Sequence, residues 1–171
     1  TFKIEFARSI KNILGSSSEY NRLEIDISQN IPLGLMKSFQ YHVGGGIFTD
    51  QKTEYFADFV YFAKNNFPQN WDVGLGGTFN LLNRELYNAS DSYFQAHLMF
   101  ETPFLTLKNV PPISHGILTE RLYLGQLYTP QLISYTELGY GIGNRLFNAA
   151  VFGSFHKYNF HEVGIRMLLT F

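Results

Sequence analysis

Ser154 and His156 flank Phe155, and His161 and Glu162 follow His156 by five and six residues. A serine, an imidazole and a carboxylate are the parts of a nucleophilic hydrolase site, in which the imidazole takes the hydroxyl proton and the carboxylate orients the ring. His156, His161 and Glu162 are also donor types that suit zinc. Either chemistry needs these side chains to converge in space. The surrounding alternation instead makes Ser154 and His156 the end of one strand and His161 and Glu162 the start of the next. The expectation is no catalytic site, no metal site and no cofactor. His42, His97 and His115 stand alone in the sequence.

Three glycine clusters, Gly44-Gly45-Gly46, Gly74 to Gly77 and Gly139 to Gly143, have the flexibility of phosphate loops. Each lies in or beside a strand pattern with no helix after it, so a nucleotide site lacks its structural context. Gly139, Gly141 and Gly143 fall on one strand face, where they leave room for a bend or a close neighbour.

Composition narrows the classes further. Of 171 residues, 16% are charged and 17% aromatic, with Phe 17, Tyr 11 and a net charge of −1. An ordinary soluble domain carries roughly 25% charged residues. No Lys/Arg cluster supplies the electrostatic footprint that nucleic acid requires. Cys is 0, which removes disulfides and thiolate metal sites. The mean hydropathy of −0.09 and the lack of a long apolar run exclude a transmembrane helix. They leave a membrane barrel open, because its lipid-facing and lumen-facing residues alternate and average out.

That alternation is what must position any site. In the final segment Val163, Ile165, Met167, Leu169 and Phe171 fall on one face, and Glu162, Gly164, Arg166, Leu168 and Thr170 on the other. Upstream, Phe2, Ile4 and Phe6 oppose Lys3, Glu5 and Ala7, and Leu23, Ile25 and Ile27 oppose Arg22, Glu24, Asp26 and Ser28. The pattern predicts about eight strands in an all-β antiparallel meander, near 1–11, 20–30, 37–48, 91–101, 115–125, 133–143, 146–156 and 161–171. Residues 30–34 and 143–145 read as tight turns. Long loops are expected near 12–19, 49–90, 126–132 and 156–161, and 49–90 is expected to be a long extracellular loop with a hairpin of its own.

The polar faces hold Gln, His, Gly, Ser and Tyr with scattered charges rather than a dense Lys/Glu surface, and the strands match the ~9–11 residues a tilted strand needs to cross a bilayer. The expectation is one domain over 1–171, an antiparallel transmembrane β-barrel of a Gram-negative outer membrane with its C-terminus periplasmic. Glu101, Glu137, Glu162 and Arg166 then face the lumen and pair with one another or with Arg121. Val163, Ile165, Met167, Leu169 and Phe171 form a C-terminal insertion signal for the outer-membrane assembly machinery. The other expected partners are membrane lipid and further outer-membrane proteins. The start at Thr1-Phe2-Lys3-Ile4, directly in a strand, reads as a removed signal or a beginning within a longer protein.

Beyond these patterns, the stretch from Tyr87-Asn88-Ala89-Ser90 through ERLYLGQLYTP and ELGYGIGNRLFNAAVFGSF to the end, with RLEIDISQNIPLG upstream, resembles the C-terminal barrel of a large Bacteroidota outer-membrane family of unknown function. That family carries an N-terminal carboxypeptidase-like regulatory domain and a barrel similar to the BamA/TamA-type surface antigens. The resemblance implies a barrel of about sixteen strands, of which this chain is the C-terminal half. It implies a scaffold, assembly or transport-associated role without catalysis, although the Arg-Gly-Phe loop of the insertase relatives is missing. The Ser154 group is similar to that of outer-membrane lipid A deacylases, which also end in Phe, but lacks their Ser-Asn-Gly context. A lipid-acting hydrolase and a soluble ligand-binding barrel are the alternatives.

Overall fold

A residue that alternates with its neighbours across a pleated strand keeps its side of the sheet for the strand's whole length, so the register fixes which side chains meet. The computed structural model describes residues 1–11, 19–53, 60–61, 79–82, 88–89, 91–103, 105–106, 118–130, 134–144 and 146–169. Among these the chain forms strands and no helix: β1 (Phe2–Ser9), β2 (Glu19–Gly34), β3 (Lys37–Thr53), β4 (Val60–Tyr61), β5 (Asn88–Ala89), β6 (Ser92–Thr102), β7 (Thr119–Tyr128), β8 (Tyr135–Gly143), β9 (Phe147–His156) and β10 (Asn159–Leu169). Eight strands make one antiparallel sheet in the order β1-β2-β3-β6-β7-β8-β9-β10, and β4 pairs with β5 apart from it. Among the described residues β1 and β10 are paired on one side only, so the sheet is open.

Two neighbouring rows define the faces. Ile31, Phe39, Phe100, Leu122, Tyr140, Val151 and Ile165 are successive cross-strand partners from β2 to β10. Ser28, His42, His97, Gly125, Glu137, Ser154 and Glu162 form a second row in the same way. From β7 to β10 the apolar row is exposed, Val151 at 47% and Ile165 at 72%, whereas His97 and Glu137 of the second row are 7% and 3% accessible. A water-soluble sheet has the opposite polarity, with apolar side chains on its covered face.

The eight expected strands are all present, with shifts at their ends. Residues 30–34, read as a turn, continue β2, and the reversal falls at Leu35 and Met36. Pro32 still pairs with Ser38; having no N–H to give the ladder, it sits beside a bulge between Pro32 and Gly34. Strand β7 covers Thr119–Tyr128 and so runs past the expected end at 125, with 115–117 outside the described residues, and β3 runs on to Thr53. The loop expected at 156–161 is a two-residue hairpin instead. Lys157 and Tyr158 both take left-handed φ, 49° and 69°, the backbone that matches the strand twist in the tightest hairpins. Residues 12–18 of the first expected loop lie outside the described residues.

Candidate functional site

Glycines on the covered face let side chains reach across a strand. Tyr93 on β6 donates its hydroxyl to Glu24 on β2 at 2.6 Å, passing over Gly46 of the intervening β3, where a Cβ would lie 2.6 Å from the Tyr93 ring. Arg121 on β7 spans β8 in the same manner. It bonds Asn148 Oδ1 on β9 over Gly141 and Gly143, and its Nε donates to Glu101 at 2.6 Å. Gly139 is filled by the ring of Phe152, whose carbons stand 2.5 Å from where a Cβ would be. The three β8 glycines therefore accommodate close neighbours, as their spacing implies.

Among the described residues, part of the expected 49–90 loop covers this face. Residues 79–82 lie against the inner row of the sheet, and Phe79 is only 1% accessible. Phe79 packs on His97 with ring centroids 4.5 Å apart and meets Tyr135 edge-on at 5.7 Å. Its ring lies over Gly125, where a Cβ would be 3.1 Å away. The buried Phe79, Leu82, Tyr93, Leu127 and Tyr135 form one cluster.

Beside that cluster Glu137 grips the backbone. Its two carboxylate oxygens accept the N–H groups of Asn80 at 2.8 Å and Leu81 at 2.7 Å, and Tyr135 donates its hydroxyl to the same group at 2.6 Å. Two adjacent backbone N–H groups on one carboxylate make a bidentate, charge-assisted contact. Arg166 of β10 reaches the Asn80 carbonyl at 3.5 Å, and Leu81 projects onto Gly164, where a Cβ would be 2.5 Å from its Cδ2. Four strands, β6, β7, β8 and β10, thus supply a seat for this tetrapeptide.

The expected lumen-facing residues divide between places. Glu137 and Arg166 belong to the seat, Glu101 pairs with Arg121, and Glu162 is exposed opposite Ser154. Val163, Ile165, Met167 and Leu169 line the exposed face of β10, while Phe171 lies outside the described residues. Ser154 is fully buried in the row between Glu137 and Glu162, and its hydroxyl has no hydrogen bond to His156 or His161. Among the described residues no group of three or more His, Asp or Glu is placed to hold a metal ion.

The residue pattern missed Phe79, Leu82 and Tyr135 as parts of a site. The available signal was glycine at inward positions 125 and 164 in mid-strand, which marks close approach by another segment. It also missed Glu120, an acid on the apolar face of β7, satisfied there by the N–H groups of Leu105 and Thr106 and the Tyr140 hydroxyl.

Residues 1–142 match the model of the C-terminal domain of a family of unknown function, DUF5686. The chain belongs to that family. No curated protein and no solved structure matches it. Within the matched span lie the DUF5686 strands β1 to β7, β8 as far as Ile142, Glu137 and the segment 79–82, so the seat apart from β10 falls inside the family's domain.

Proposed function

We propose that this domain is an integral β-barrel of a Gram-negative outer membrane, with a scaffold, assembly or transport-associated role and no catalytic step. The carrying observation is the inverted polarity of the sheet. Leu122, Tyr140, Val151 and Ile165 are exposed as cross-strand partners from β7 to β10, while Gln95, His97, Arg121, Glu137 and Asn148 on the opposite face are covered, the distribution that hydrocarbon outside and a polar interior require. In this reading the C-terminus is periplasmic. Strand edges left open in hydrocarbon are not tolerated. In this reading further strands close β1 and β10 into a barrel of about sixteen, following the Bacteroidota carboxypeptidase-like and BamA/TamA-like resemblance. Val163, Ile165, Met167, Leu169 and Phe171 then serve the assembly machinery as the insertion signal.

The test is extraction of the full-length protein from cell membranes. The outer-membrane reading expects it in the outer-membrane fraction, released by detergent alone, and migrating faster on gels unheated than boiled. Release by salt or alkali without detergent would sink it.

A further inference from the structure

We infer that the concave face carries a peptide seat occupied by the chain's own residues 79–82, and that this occupancy latches the lumen shut. The inference rests on the outer-membrane reading and assigns a state to the barrel it describes. Three observations carry it. The segment is held by its backbone through Glu137 Oε1 and Oε2, at 2.7 and 2.8 Å, rather than by side-chain packing alone. The sheet is moulded to it, since Gly125 under Phe79 and Gly164 under Leu81 leave space that any side chain would fill, at 3.1 and 2.5 Å from the would-be Cβ atoms. The position is central, because His97, Gly125 and Glu137 are consecutive members of the inner polar row.

A segment lying against the inner wall, with an aromatic ring over the polar row, removes the water path along that wall. Opening requires Phe79 to leave His97 and Tyr135, and Asn80 and Leu81 to give up the Glu137 carboxylate. Those N–H groups then need water, so the open state comes with hydration of the lumen. The seat is thereby a two-state element whose balance Glu137 sets.

The experiment is potassium chloride conductance of the full-length protein in planar bilayers. Wild type should stay near the bare-membrane baseline, and Glu137→Ala and Phe79→Ala should each raise the conducting fraction on the order of tenfold or more. The sequence has Cys 0, so Leu81→Cys with Gly164→Cys introduces a unique pair. In the Glu137→Ala background that pair, oxidised, should return conductance to baseline, and reduction should reopen it. If Glu137→Ala fails to assemble, Phe79→Ala carries the test, with the cysteine pair placed in that background. A conducting wild type, assembled variants that conduct no better than wild type, or a pair that does not cross-link would overturn the latch. Solubility without detergent would overturn the outer-membrane reading and the latch with it, whereas an assembled membrane protein that fails the cross-link loses the latch alone.

Discussion

Arg121 on β7 and Glu101 on β6 are direct cross-strand partners, and the guanidinium Nε meets the carboxylate at 2.6 Å on the covered face. The Arg121 side chain is almost fully enclosed, and its Nη1 donates to Asn148 Oδ1. Removing the acid takes the carboxylate from a charge in a place of low dielectric. Arg121→Leu and Glu101→Leu should each lower unfolding free energy by about 2–4 kcal/mol, and the double variant by less than the sum. Urea titration of the refolded protein in lipid, followed by circular dichroism, measures this. Strict additivity would mean that the pair is not coupled.

The apolar row makes a separate prediction about solvent. Leu124 on β7 faces outward between Leu98 and Leu138, whereas neighbouring Tyr123 faces inward. If hydrocarbon lies outside, Leu124→Arg near mid-strand should cost about 2–4 kcal/mol and slow assembly into vesicles. Tyr123→Arg, which presents its charge to the polar face, should cost less by the same assay. Equal penalties would show that the outer surface is not a lipid surface.

Strand existence was legible because period-two alternation survives along each strand: Leu23, Ile25 and Ile27 pair with Ile47, Gly45 and Val43 as their parity demands. Strand ends were less so. Nothing local tells Pro32 that it continues β2 or tells Lys157 to adopt a left-handed backbone, since both follow from where the partner strand stops. The seat was least legible. Phe79 to Leu82 look like any short apolar run, and their partners His97, Gly125, Glu137 and Gly164 are spread over three later hairpins. Glu137 could be assigned to the inner face from parity, but that its carboxylate takes backbone N–H groups rather than Arg166 depends on a loop that carries no periodic signal.

The β9–β10 hairpin turns on two residues that pay no glycine or asparagine advantage. Lys157 and Tyr158 hold φ of 49° and 69° with Cβ atoms that disfavour that region. Lys157→Asn with Tyr158→Gly should keep the hairpin register and stabilise the protein by about 1–2 kcal/mol, provided neither side chain has another task. Both are exposed, so no packing is lost. The urea midpoint should rise; an unchanged or lower midpoint would mean that the turn is held in this form by contacts other than its own conformational preference.

Gly139 and Phe152 give the sharpest packing test. They are cross-strand partners on β8 and β9, and the Phe152 ring covers the glycine so closely that an added Cβ would stand 2.5 Å from two of its carbons, with Tyr123 Cβ at 3.2 Å on the other side. Phe152 is buried, so it has little freedom to withdraw. Gly139→Ala should therefore destabilise by about 1–3 kcal/mol through overpacking, despite alanine's lower unfolded-state entropy. Phe152→Leu alone should also destabilise, by removing a ring from a filled place. Combining the two should recover part of the loss, because the smaller side chain leaves room for the methyl group, giving a favourable coupling in a double-mutant cycle. A cycle with no coupling would mean that the ring does not lie over Gly139 in the assembled protein.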